Sequence, residues 1–293
     1  MSRPLLDIRD LTLGFKGWTG FTEVLHGISL SIQPGERVAL VGESGSGKSV
    51  TARIVLGMLQ SLRSARINGT VEFDGRDLAQ MSRAERQRLR GTRISMIFQD
   101  PTSSLNPVYR IGTQFHEVLK REVPDFSYQD AMGRAAEILR EVSIVDAERV
   151  LSSYPFQLSG GMNQRVMIAM ALANEPDLLL ADEPGTALDV TVQAQTLELM
   201  RGLVEQHNTA VLFISHNLGV VREFADRVYV IYKGRIVEHG PTTALFDDPR
   251  HPYTRALMMA VPRLTGGGVP DISDDASAFS APLEDHLAGE GRE

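Results

Sequence analysis

The chain has no cysteine among its 293 residues. That excludes a disulfide framework and any thiolate metal site, and it fits a reducing compartment. It has a single Trp, and aromatic residues make up only 6% of it. It lacks any run of about 18 consecutive apolar residues, the length that a membrane-spanning helix requires. Its longer apolar stretches, such as Pro176–Ala181 and Ala210–Ile214, have the length of buried strands. Met1–Asp10 carries charges where a signal peptide needs an apolar core. Basic residues are outnumbered, 30 Lys and Arg against 37 Asp and Glu, for a formal net charge of -7. That balance disfavours nucleic acid as a partner, because a phosphate backbone selects a basic footprint. The expectation is a soluble, cytoplasmic chain that meets a membrane only by recruitment to another subunit.

What is present is ordinary globular composition, 42% hydrophobic and 23% charged, with 26 Gly and 14 Pro. Leu5–Phe15 and Ile28–Ile32 read as strands, Pro34-Gly35 as a turn, and Arg37–Val41 as an apolar strand. A glycine-rich loop follows that strand at once, and Ser49–Leu59 then has helical spacing. Ile67–Phe73 suits a hairpin strand, and Arg83–Arg90 a basic, solvated helix. Ile94–Phe98 is a further strand, ending at Gln99, and residues 107–157 are mostly helical. Met162–Ala173 is an apolar helix, and Leu178–Ala181 and Val211–Ser215 are buried strands. Arg227–Ile231 and Arg235–Glu238 form a hairpin around Lys233-Gly234. Pro241–Leu264 reads as an appended segment. Asp271–Glu293 follows the triple glycine Gly266-Gly267-Gly268 and has seven acidic residues and one Arg. It has little to bury and is expected to be disordered.

The loop Gly42-Glu43-Ser44-Gly45-Ser46-Gly47-Lys48-Ser49-Val50 sits between a strand and a helix, the context that a phosphate loop requires. Glycines there let backbone N–H groups converge on phosphate oxygens, and the following helix adds its positive end. Lys48 would reach the β- and γ-phosphates, and the Ser49 hydroxyl would ligate Mg²⁺. The run Leu178–Ala181 places Asp182 at a strand's carboxyl end, where its charge can hold a Mg²⁺ shell, and Glu183 one residue on can polarise a water. Leu158-Ser159-Gly160-Gly161-Met162 opens a helix. Alone, it reads as a helix cap, but shortly before Asp182 it reads as a second anion site. Gln99 and His216 each end a strand, the edge at which open α/β sheets gather ligand groups. Only one phosphate loop occurs, so the chain reads as one nucleotide-binding unit and not a fused pair.

In kind and in order these motifs resemble those of the ATP-binding cassette (ABC) ATPases, over roughly residues 5 to 262. The resemblance implies an α/β fold. It would have a parallel-sheet P-loop core, an N-terminal antiparallel β subdomain and a helical insertion at about 101–157, together spanning 1–240. A C-terminal extension, 241–265, and the acidic tail, 266–293, would follow. Gln99 resembles the Q-loop glutamine and a Mg²⁺ ligand beside Ser49 and Asp182. Glu183 is similar to the catalytic base, Asp189 to the D-loop aspartate and His216 to the switch histidine. Ser159, Gly160, Gly161 and Met162 resemble the signature that contacts ATP held by a second subunit. Phe15 is the candidate for stacking on adenine, with Trp18 and Phe21 in competition. The segments Phe98–Pro107, Gln164–Leu172, Ala187–Gln195 and His251-Pro-Tyr-Thr-Arg-Ala-Leu narrow the resemblance to the oligopeptide, dipeptide and nickel importers.

That branch implies ATP and Mg²⁺ as cofactors and a partner cassette, identical or related. It also implies two membrane permease subunits, an extracytoplasmic substrate-binding protein and a peripheral place on the cytoplasmic face of the inner membrane. Some relatives hold an iron–sulfur cluster on C-terminal cysteines, which this chain lacks. The sequence departs from the pattern at Met162, where Gln is commoner outside this branch, at Gly185, where Thr is usual, and at Asn217, where Asp is usual. The alternatives are a soluble cassette ATPase acting on ribosomes or DNA, an exporter and a catalytically silent cassette. They are disfavoured by the single cassette without a coiled coil, by the His-Pro-Tyr segment, and by Glu183 with His216.

Overall fold

The structure, a computed structural model, describes residues 3–17, 20–100, 104–185 and 190–259. In chain order the first elements are β1 (Leu6–Gly17), β2 (Gly20–Ile32), β3 (Arg37–Val41), α1 (Lys48–Val55), β4 (Ala65–Phe73) and β5 (Arg76–Asp77). Next come α2 (Arg83–Leu89), β6 (Ile94–Ile97), α3 (Ile111–Leu119), α4 (Tyr128–Glu141), α5 (Ala147–Ser152) and α6 (Gly160–Leu172). β7 (Leu178–Asp182), α7 (Val190–Gln206), β8 (Ala210–Ile214), α8 (Leu218–Phe224), β9 (Arg227–Tyr232), β10 (Arg235–Pro241), α9 (Thr242–Asp247) and α10 (Pro252–Met259) complete the order. Two compact units divide the chain, one of residues 1–81 with 212–293, the other of residues 82–211.

The first unit contains an antiparallel sheet in the order β2-β1-β4-β5. Leu6, Ile8, Leu11 and Leu13 of β1 are all buried, although strict alternation would turn Leu11 outward. A register shift between Ile8 and Leu11, with Asp10 at a φ of 49°, resets the phase and keeps the apolar set on one face. The same unit holds β10, β9 and β3 in that order, with Leu212–Ile214 of β8 beside β3. β3 and β9 run parallel, with Val38 opposite Arg227 and Val41 opposite Val230. The β9–β10 turn at Lys233-Gly234 has positive φ at both residues, the conformation that suits a tight hairpin. Arg37 ties β3 to the start of β9 by two side-chain bonds to Asp226, at 2.7 and 3.2 Å. Arg227 answers with 2.8 and 3.0 Å bonds to Glu36.

The second unit pairs β6 with β7 in parallel, Ile94 opposite Leu178 and Ile97 opposite Ala181. Every residue of both strands is buried, as their continuous apolar runs predict. Ser82 and Glu85 close a capping box at the start of α2, and Ser127 caps α4 by accepting the Asp130 N–H at 3.1 Å. Helices α3, α4 and α5 fill the region expected to be helical. A Cβ added at Gly112 of α3 would lie 3.0 Å from the Leu151 carbonyl oxygen of α5 and 2.7 Å from the movable Met132 Sδ of α4, so glycine eases the close approach of these helices. The buried Asn174 amide donates to Gly91 O at 2.6 Å and Val118 O at 3.0 Å, joining the turn before β6 to the last turn of α3.

The observed elements depart from the sequence expectation in three places. β2 begins at Gly20 and not Ile28, since Phe21–Glu23 are exposed and their strand character comes from pairing with β1. α1 stops at Val55, short of Leu59. Helices α7 and α8 have no counterpart in the expected elements. The extension that begins at 241 is packed through its described part: Leu245 and Tyr253 are buried, and His251 is wholly so.

Candidate functional site

The phosphate loop lies in the first unit, between β3 and α1. Gly42, Gly45 and Gly47 all adopt positive φ. A Cβ at Gly42 would fall 2.0 Å from the Ile231 carbonyl oxygen, and one at Gly47 would fall 2.5 Å from Leu25 Cδ2. At Gly45 nothing lies within 4 Å, so the mouth of the loop is open while its base is wedged. Lys48 is 5% exposed, and its ammonium donates at 2.7 Å to both Gly42 O and Glu43 O. The cation is thus folded back into the loop that it would help to load. The Ser46 N–H donates to Glu43 O at 3.2 Å, while the buried Ser46 Oγ has no hydrogen-bond partner. An orphaned hydroxyl is costly unless something else meets it, and a phosphate oxygen suits it. Ser49 and Val50 continue into α1, and Ser44 is exposed at the loop's rim.

The carboxylates expected to act lie in the second unit. Asp182 ends β7 and is 2% exposed. Glu183 follows in the left-handed region, at a φ of 50°, uncommon for a residue with a side chain. The Gly185 N–H donates to Glu183 O at 2.8 Å and tightens that turn. Gln99 Nε2 donates to Glu183 Oε2 at 3.1 Å, so the structure brings these two predicted residues together.

Ser159 is the N-cap of α6, its hydroxyl accepting the Met162 N–H at 3.3 Å. Ser159 and Gly160 are exposed, and a Cβ at Gly161 would meet Val192 Cγ1 at 3.1 Å. His216 is exposed in the first unit, directly after β8. Phe15 is half-buried on β1 opposite Thr22, whereas Phe21 is half-exposed, 5.8 Å from the Arg66 guanidinium. Asp189 and Trp18 lie outside the described residues.

Two of the departures from the usual pattern, Gly185 and Asn217, have local explanations. Gly185 sits at a φ of 146°, and a Cβ there would come to 3.0 Å from Gln193 Cγ, so glycine suits this backbone better than threonine. Asn217 caps α8: its Oδ1 accepts N–H groups of Gly219 at 3.1 Å and Val220 at 3.4 Å. Asn217→Ala is therefore expected to cost about 1 kcal/mol of stability while Asn217→Asp stays near neutral, a contrast that a pair of denaturant titrations would measure.

Tyr253 was visible in the sequence only as part of the His-Pro-Tyr segment, with no role attached. In the structure its hydroxyl accepts the Glu43 N–H at 3.0 Å. Burial pushes its phenol well above the ordinary value of 10, so the group stays protonated and neutral at physiological pH.

Comparison with known proteins gives concordant matches. The ABC transporter family matches residues 25–186, and the C-terminal region of oligopeptide/dipeptide transporters matches residues 237–278. A probable peptide ABC transporter ATP-binding protein of Sinorhizobium fredii is 48% identical, over 95% of this chain and 84% of its own length. The oligopeptide transport ATP-binding protein OppD of Bacillus subtilis is 46% identical, over 92% of this chain and 75% of its own. Among solved structures, a dimeric ATP-binding cassette in a post-hydrolysis state with ADP and Pi superposes with a TM-score of 0.71. It is 28% identical and covers 81% of this chain and 98% of that one. A glycine-rich loop between a strand and a helix, a buried carboxylate ending β7 and these matches agree, and the chain belongs to the ABC transporter family as one of its ATP-binding cassettes, an ATPase.

Proposed function

We propose that this cassette powers the import of peptides through separate membrane permeases, paired with a second cassette, identical or related. The observation that carries the peptide reading is the C-terminal segment matched at 237–278, supported by relatives named for peptide and oligopeptide transport. Those names also count against a soluble cassette acting on ribosomes or DNA. Among the described residues no helix is long and apolar enough to cross a membrane, which accords with a peripheral subunit on the cytoplasmic face.

Each residue is assigned a role by its chemistry. The loop Gly42–Ser49, with Val50 behind it, cradles the phosphates through backbone N–H groups, and Lys48 turns from its two carbonyls to the β- and γ-phosphates. Phe15 stacks on the adenine. By the family resemblance Ser49, Asp182 and Gln99 would each offer an oxygen donor to Mg²⁺, which when bound would neutralise phosphate charge. Glu183 orients the attacking water, and the Gln99 amide holds its carboxylate in place until nucleotide binds. His216 and Lys48 stabilise charge developing on the γ-phosphate. Ser159 and Gly160, exposed at the start of α6, serve the partner cassette's ATP together with the half-buried Gly161 and Met162, with Asp189 assigned to the same seam.

The membrane subunit docks on the second unit. Arg110, Tyr128, Met132 and Leu151 line a cavity of ≈ 380 Å³, and Tyr109 and Phe156 are 53% and 72% exposed in the same helical region. Apolar surface of that kind marks an interaction site. Co-expression with permeases and a binding protein of the peptide-importer class, followed by reconstitution in proteoliposomes, tests the function. Uptake of labelled peptide that requires internal ATP is the expected result. ATP hydrolysis indifferent to every permease tried would overturn it.

A further inference from the structure

The phosphate loop is braced by a residue far from it in sequence. We propose that Tyr253 is a positioning residue for nucleotide binding, acting from the C-terminal extension on the Gly42–Glu43 peptide and through that peptide on Lys48. The inference rests on the reading of Gly42–Ser49 as the ATP phosphate site.

A single peptide unit carries the connection. Its N–H, on Glu43, is held by Tyr253 Oη at 3.0 Å. Its carbonyl, on Gly42, accepts the Lys48 ammonium at 2.7 Å. In a trans peptide these two groups point in opposite directions, so fixing the N–H fixes where the carbonyl aims. The next carbonyl, Glu43 O, takes a second bond from Lys48 at 2.7 Å and the Ser46 N–H at 3.2 Å. Glycine at 42 leaves the peptide free to rotate, and only its contacts decide its orientation. On one side it is wedged by the Ile231 carbonyl, and on the other the hydrogen bond comes from Tyr253.

The phenol is itself held rigidly. Tyr253 is 1% exposed, with its ring 4.4 Å from that of Tyr232, the residue after Ile231. Its N–H donates to His251 Nδ1 at 3.1 Å. The Glu238 carboxylate on β10 accepts the N–H groups of Arg250 at 2.9 Å and His251 at 3.1 Å. The extension is thereby fastened to the same hairpin that wedges Gly42. Without the hydroxyl the Gly42–Glu43 peptide can turn, and the Lys48 ammonium loses the carbonyl that sets its resting place.

Tyr253→Phe in the full chain keeps the ring and removes only Oη. Calorimetric titration with ATP is expected to show binding about three- to ten-fold weaker, the range for one net hydrogen bond. Hydrogen exchange followed by mass spectrometry is expected to quicken in residues 42–49 and to stay unchanged in β9, β10 and α10. In the wild-type chain the Glu43 amide should exchange slowly although its residue is exposed, a measurement that needs no variant to fold. Unaltered ATP affinity in the variant, or an unprotected Glu43 amide in the wild type, would overturn the inference and leave the ATP reading standing. Exchange that quickens throughout β9, β10 and α10 would show a merely structural role and overturn it as well. Failure of the wild-type chain to bind ATP would overturn the ATP reading, and the inference with it.

Discussion

Glu183→Gln is expected to retain ATP binding and to lose hydrolysis by about a hundred-fold or more, the scale on which a positioned general base acts. The substitution preserves size and keeps an oxygen within reach of the Gln99 amide, 3.1 Å away in the native pair. It removes the charge that polarises water. The left-handed backbone at this position, φ 50°, is unchanged by the exchange, so strain does not confound the comparison. Phosphate release in the steady state, set beside an ATP titration of the same preparation, checks both halves. Turnover near that of the wild type would remove Glu183 from the mechanism.

Lys48→Ala should act one step earlier, on binding itself. Hydrogen bonds from an ammonium to phosphate are charge-assisted, and losing them is expected to weaken ATP affinity roughly ten- to hundred-fold. The variant also strips Gly42 O and Glu43 O of their common donor, so some thermal stability should be lost without nucleotide. The two effects separate by measurement: a nucleotide titration reports the first and the unfolding midpoint in nucleotide-free buffer the second. An ATP affinity unchanged in Lys48→Ala would contradict the placement of the lysine on the phosphates.

Much of this was legible in the sequence because the chemistry is local. Gly42–Ser49 specifies its own loop, and the apolar run before Asp182 specifies a buried strand with the acid at its end. Pairing was legible only where polarity alternates or apolar residues run on. The outer half of β2 was missed because Phe21–Glu23 are exposed and their strand is imposed by β1. The family resemblance supplied Gln99 and Glu183 separately, and their contact depends on how β6 and β7 pair. Tyr253 is the clearest case of non-local information. Nothing in His251-Pro-Tyr says that the phenol meets a peptide bond 210 residues earlier, because that contact depends on β10 carrying Glu238 beneath the extension.

The account places half of each of two ATP sites on one cassette, so pairing must follow nucleotide. Light scattering of Glu183→Gln, with and without ATP, measures this directly. Among the described residues nothing forms a dedicated dimerisation element such as a coiled coil. The account predicts a monomer in the absence of nucleotide and a shift towards twice that mass at saturating ATP. A stable dimer without nucleotide, or a mass that ATP leaves unchanged while the same sample binds it, would contradict the claim that two cassettes close around ATP.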